Sequence, residues 1–89
     1  MPGAFTVKLT PSFLKDIEGL AHPVQRKMLD ALTHLETEPF GPAPVVKKLK
    51  GKGIGRWRLR VGAYRIRYDV VRRDVVLYRV RHRKEIYRD

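Results

Sequence analysis

The apolar and polar residues of this chain follow two different periods, and they change over near its middle. Ala4-Phe5-Thr6-Val7-Lys8-Leu9 reads as a short first strand. Thr10-Pro11 is a helix start, with a hydroxyl to cap the first turn and a proline at the first helical position. Phe13, Leu14, Ile17, Leu20 and Ala21 then share one helical face, which predicts a helix over 11–21. His22-Pro23 breaks and restarts the pattern, and Val24, Met28, Ala31, Leu32 and Leu35 give the stripe of a second helix over 23–37. Two helices so close in sequence form an antiparallel helical hairpin. Pro39, Gly41, Pro42 and Pro44 make a stiff connection. The basic, glycine-rich stretch Lys47 to Gly55 reads as a loop, with room for a short strand near Val45–Leu49 and without the spacing of a nucleotide-binding P-loop.

From residue 56 the period is two. Trp57, Leu59 and Val61 alternate with Arg56, Arg58 and Arg60; Tyr64, Ile66 and Tyr68 alternate with Arg65, Arg67 and Asp69. Gly62-Ala63 between the runs suits a two-residue hairpin turn. In the third run, Val75 to Arg83, alternation puts Val76, Tyr78, Val80 and His82 on one face and Val75, Leu77, Arg79, Arg81 and Arg83 on the other. The tail from Lys84 has length for one helical turn. The fold class expected is α+β: an N-terminal strand, then a helical hairpin packed on a small antiparallel sheet, in the order β-α-α-β-β-β, as a single domain over 1–89.

Register turns this pattern into a site. With Gly62-Ala63 as the loop, Val61 pairs with Tyr64, Arg60 with Arg65, Arg58 with Arg67, and Trp57 with Tyr68. An odd loop at Arg72–Asp74 then keeps the apolar residues together and sets Arg67 opposite Arg79 and Arg65 opposite Arg81. One face thus collects Arg58, Arg60, Arg65, Arg67, Arg79 and Arg81. Like charges directly opposite one another weaken a sheet by about 0.2–1 kcal/mol per pair. A phosphate chain would supply the missing negative charge.

Charge sharpens this picture. The net charge is +11. Residues 1–44 hold four Lys/Arg against five Asp/Glu, a balance of −1; residues 45–89 hold sixteen against four, a balance of +12. Most of those sixteen are arginine, which suits bidentate phosphate recognition. The partner expected is therefore a polyanion, bound through the second half. With no cysteine there is no disulfide or thiolate metal site; the acidic residues do not cluster and the histidines are scattered, so no metal and no cofactor is expected. Neither a signal peptide nor a membrane-spanning stretch is visible, which points to the cytoplasm. Parity makes Trp57, Tyr64, Tyr68 and Tyr78 core residues. It also points His82, the side chain best suited by its usual titration range to act as a base, toward the core. His22 reads as a helix-boundary residue, His34 as a surface position, and Glu85 as an ion-pair partner.

The run Arg56-Trp57-Arg58-Leu59-Arg60-Val61-Gly62-Ala63-Tyr64-Arg65-Ile66-Arg67-Tyr68 resembles the sheet signature of RelE/ParE-superfamily toxins. The ending Arg81-His82-Arg83-Lys84-Glu85-Ile86-Tyr87 resembles the C-terminal motif of the RelE branch, and the Leu49-Lys50-Gly51 approach also fits. The resemblance covers nearly the whole chain. It implies the toxin of a type II toxin–antitoxin system, a ribosome-dependent, metal-independent endoribonuclease that cuts mRNA. It also implies a cognate RelB-like antitoxin wrapped over the basic groove in a hetero-oligomeric complex. By this resemblance Arg58, Arg65, Arg81 and Tyr87 are catalytic, with Arg83 the alternative for Arg81. The resemblance maps a catalytic position onto Arg56 as well, and Arg56, Arg60, Arg67, Arg79, Arg83, Lys50 and Lys52 are expected to bind RNA phosphate. RelE proper carries lysines where Arg56 and Arg58 stand; an arginine does not give up its proton, so the general base stays unassigned. Two other readings remain: a ParE-like gyrase-inhibiting toxin with the same fold, against which the arginine face and the Arg83…Tyr87 ending argue, and a non-catalytic basic RNA-binding module.

Overall fold

The computed structural model describes residues 4–50 and 55–86. In chain order the elements are β1 (Thr6–Leu9), α1 (Pro11–Glu18), α2 (His22–Thr37), β2 (Val46–Lys48), β3 (Trp57–Val61), β4 (Tyr64–Val71), β5 (Asp74–His82) and α3 (Arg83–Ile86). The strands form one sheet in the order β1-β5-β4-β3-β2. The fold is α+β, as expected, but the sheet is mixed rather than wholly antiparallel. β1 pairs parallel with β5, Val7 opposite Val75 and Leu9 opposite Leu77, and β2 adds a fifth strand antiparallel to β3. Alternation within a strand says which residues share a face; it does not say which neighbour the strand takes.

Thr10 joins β1 to α1 in two ways. Its hydroxyl accepts from the Phe13 amide at 3.2 Å, capping α1, and donates to the Leu77 carbonyl of β5 at 2.8 Å. α1 ends at Glu18, three residues short of the expected end, where the Gly19 amide turns back to the Asp16 carbonyl and the Leu20 amide to that of Ile17. Leu14, expected on the apolar face, is exposed. α2 begins at His22, and Gln25 donates to the Ile17 carbonyl at 2.8 Å, tying the two helices.

Phe13 of α1 and Met28 and Leu35 of α2 meet Val46, Leu59, Ile66, Tyr68, Val75, Leu77 and Val80 of the sheet in one buried cluster. Tyr68 is fully buried, and its hydroxyl donates to the Pro39 carbonyl at 2.7 Å, fastening the proline-rich connection to β4. Burial pushes the Tyr68 phenol well above its usual range. His34 is not the surface residue expected. It is half-buried, with Nε2 2.8 Å from the Gly41 carbonyl, and so ties the end of α2 to the same connection.

The β3–β4 register is the one expected: Trp57–Tyr68, Arg58–Arg67, Leu59–Ile66, Arg60–Arg65 and Val61–Tyr64. Gly62 sits at φ 58, where glycine carries no penalty. The β4–β5 connection differs. Val71 pairs with Asp74, so the loop is the two residues Arg72-Arg73, with Arg72 at φ 59. The odd residue is taken up inside the sheet, where the register shifts between Arg67 and Tyr68: Arg67 faces Arg79 while Tyr68 faces Leu77. Tyr78 is thus the extra residue of a β-bulge. The bulge reverses the parity of β5, so that Val75 and Leu77 on one side of it and Val80 on the other all reach the core.

Candidate nucleic-acid interface

Two rows of basic side chains cross the sheet on the face that alternation turns away from the core. Arg60, Arg65 and Arg81 lie side by side on β3, β4 and β5. Lys47, Arg58, Arg67 and Arg79 form the second row, on β2, β3, β4 and β5. The pairing places five like-charged pairs directly opposite one another. All six arginines named from the sequence are therefore brought together, and Lys47 joins them. The short strand expected near Val45–Leu49 has no partner legible in the sequence; as β2 it pairs with β3 and puts Lys47 in register with Arg58.

The guanidinium groups are held by backbone carbonyls. Arg58 Nη2 donates to Pro44 O at 2.8 Å, while its Nε is buried and meets no partner among the described residues. Arg65 Nη1 donates to Gly62 O and Tyr64 O, each at 2.9 Å. Arg67 donates to Gly55 O through Nε at 3.1 Å and Nη2 at 2.6 Å. Gly55 is at φ 86, and a Cβ there would stand 2.9 Å from the Tyr68 amide nitrogen and 3.0 Å from Arg67 Cβ. Conformation and space both require glycine. Arg60 is exposed, as are Lys47, Lys50 and Arg83, the last beginning α3.

Two carboxylates border the rows. Asp16 of α1 pairs with Arg79 at 2.9 Å and Arg81 at 3.5 Å. Asp69 accepts from the backbone amide of the exposed Arg56 at 2.7 Å. Arg56 stands just before β3, not within it. Tyr78, expected in the core, is instead half-buried beside Asp69. The bulge explains the error, since strict alternation across Tyr78 gives the wrong face. Burial, then the Asp69 charge and a hydrogen bond to it, raise the Tyr78 phenol above its usual value.

His82 lies on the opposite side. It stacks edge-on against Tyr64 at 5.3 Å, and its Nδ1 accepts from the Lys84 amide at 3.2 Å. Trp57 and Tyr64 are half-buried and pack against the core. No group of three His, Asp or Glu side chains among the described residues is placed to hold a metal ion. Lys52 and Tyr87, and the side chain of Glu85, lie outside what is described.

Residues 7–87 match the family model for the ParE toxin of type II toxin–antitoxin systems, parDE. The chain belongs to this toxin family. Solved structures carry the same fold. The toxin is similar to a chain of the RelBE2 toxin–antitoxin complex from Mycobacterium tuberculosis: 28% identity over 89% of this chain and 98% of that one, with a TM-score of 0.77. It is also similar to a chain of the archaeal RelE–RelB complex from Pyrococcus horikoshii, at 27% identity over 90% and 96%, TM-score 0.75. A chain of the RelB–RelE complex from Methanococcus jannaschii is 26% identical over 90% and 94%, TM-score 0.69. No curated protein matches the toxin in sequence. None of its helices, among the described residues, is long and apolar enough to cross a membrane.

Proposed function

We propose that the toxin is a ribosome-dependent, metal-independent endoribonuclease that cuts mRNA in the cytoplasm. In this reading residues 1–89 form one toxin domain, and a RelB-like antitoxin covers its basic face in a hetero-oligomeric complex. The observation that carries it is the pair of opposed rows, Arg60–Arg65–Arg81 and Lys47–Arg58–Arg67–Arg79. Cations set against each other across four strands destabilise the free protein and pre-form a site for a phosphate chain. The likeness to RelE chains from RelBE complexes supports the same reading.

In the reaction, the 2′-hydroxyl of one nucleotide gives its proton to water and attacks the adjacent phosphorus; the bond to the 5′-oxygen breaks and that oxygen takes a proton from water, giving a 2′,3′-cyclic phosphate and a 5′-hydroxyl. Arg65 and Arg81 clamp the phosphate, Arg58, opposite Arg67 in the second row, stabilises the charge that develops, and Arg56 positions the backbone. Tyr87 orients the hydroxyl or stacks on a base. His82 faces away from these groups, so the rate comes from alignment and charge stabilisation rather than from a dedicated histidine base.

The test is to map mRNA 5′ ends on translating ribosomes given the purified toxin. Codon-phased cuts that vanish in Arg65→Ala and Arg81→Ala are expected. The family model carries the ParE name, which favours gyrase as the second target to examine. Intact mRNA together with arrested DNA supercoiling would overturn the nuclease reading.

A further inference from the structure

β1 protects the outer edge of β5 only as far as Leu77. Beyond that point the edge is met by α1. Asp16, one and a half turns into the helix, accepts the Val80 backbone amide on Oδ2 at 2.9 Å. The same carboxylate takes Arg79 side-on, Nε to Oδ2 at 2.9 Å and Nη2 to Oδ1 at 3.3 Å, and receives Arg81 Nη1 on Oδ1 at 3.5 Å. Three consecutive residues of β5 thus converge on one side chain. The carboxylate is 13% exposed, against 40% and 36% for the Arg79 and Arg81 side chains. Asp16 is therefore the more enclosed partner, and both arginine side chains keep more contact with solvent. An open hollow of about 500 Å³, lined by Ser12, Lys15, Asp16, Gly19 and Arg79, adjoins the pair.

A carboxylate among cations eases their mutual repulsion but weakens their attraction for a polyanion, so charge alone does not explain how it would serve RNA binding. Direction does. Charge-assisted hydrogen bonds are short and oriented, and a side-on pair fixes the plane of a guanidinium that would otherwise sample many rotamers.

We propose that Asp16 is a positioning residue that holds Arg79 and Arg81, one from each basic row, in the orientation that receives RNA phosphate. The proposal rests on the nuclease reading for its kinetic consequence alone.

Wild type, Asp16→Asn and Asp16→Glu are compared. Asparagine keeps an oxygen for the Val80 amide and removes the charge. In isotope-labelled protein the Arg79 Nε–H signal is expected to exchange slowly in wild type, quickly in Asp16→Asn, and slowly again in Asp16→Glu. A single-stranded RNA oligonucleotide is expected to shift that signal in wild type and to bind Asp16→Asn more weakly. On programmed ribosomes the cleavage rate of Asp16→Asn is expected to drop on the order of tenfold with KM for the ribosome unchanged, and Asp16→Glu to restore it. Unchanged Arg79 exchange in Asp16→Asn, or tighter RNA binding with faster cutting, overturns the proposal; the second result would make Asp16 a competitor of phosphate. If wild type binds the RNA through Arg79 but cuts no mRNA, the nuclease reading fails while the role of Asp16 stands. Should Asp16→Asn not fold, rapid Arg79 Nε–H exchange in wild type overturns the proposal by itself.

Discussion

At the scale of single residues, the site works against the stability of the sheet that carries it. Arg60 makes this testable, because it is exposed and faces Arg65 directly. Replacing it by glutamate turns a like-charged cross-strand pair into an attractive one. Arg60→Glu is expected to raise unfolding stability by up to about 1 kcal/mol in urea titrations while weakening RNA binding. The clamp residues behave differently. Arg65→Ala removes a group aimed at the transition state and is expected to slow mRNA cutting on the order of 100-fold in single-turnover assays. Asp16 sets a pH dependence. Burial alone would raise its carboxyl, but the Arg79 hydrogen bond, the Val80 amide and the charges of Arg79 and Arg81 more than offset this and hold it below 3.8. A depressed folded value means that its stabilisation is fully present above the unfolded value and is lost as pH falls through the folded one. The Arg79 clamp is therefore expected to hold at neutral pH and to open only under strongly acid conditions, which NMR of the Arg79 Nε–H will follow.

At the scale of elements, two joints position the rows. The Tyr68–Pro39 hydrogen bond fastens the connection before β2 to the buried side of β4. Tyr68→Phe leaves a buried carbonyl without a partner, and a loss of about 1–3 kcal/mol is expected in denaturant titrations. The second joint is Gly55, which lays the chain against β4 and offers its carbonyl to Arg67. Gly55→Ala meets both a left-handed φ and backbone 2.9 Å away, so the expected cost is at least about 1–2 kcal/mol, with Arg67 displaced as well. The bulge at Tyr78 is a third device. It lets Val75 and Leu77 share the core with Val80 while leaving Arg79 beside Arg67, a combination no unbroken strand provides.

At the scale of the whole molecule, the charge of +11 is carried by the second half of the chain and gathered on the sheet by its fold. Binding to single-stranded RNA is expected to weaken steeply with salt, by about 0.7 in log K per decade of salt for each phosphate neutralised. Two rows spanning about four phosphates predict a slope near roughly −3, measured by fluorescence titration of an RNA oligonucleotide.

Taken by themselves, the residues determined the strands from Trp57 to His82, the pairing of β3 with β4, and the identity of the six opposed arginines. Period-two alternation and a two-residue loop leave one register that puts Trp57, Leu59, Ile66 and Tyr68 on the core face together, so these features are local consequences of side-chain pattern. The position of β1 beside β5, the bulge at Tyr78, the entry of Lys47 into a basic row and the reach of Asp16 to β5 were decided only by the tertiary structure. Each depends on contacts between segments distant in sequence, Asp16 and Val80 most plainly, and such contacts leave no period in the chain to read.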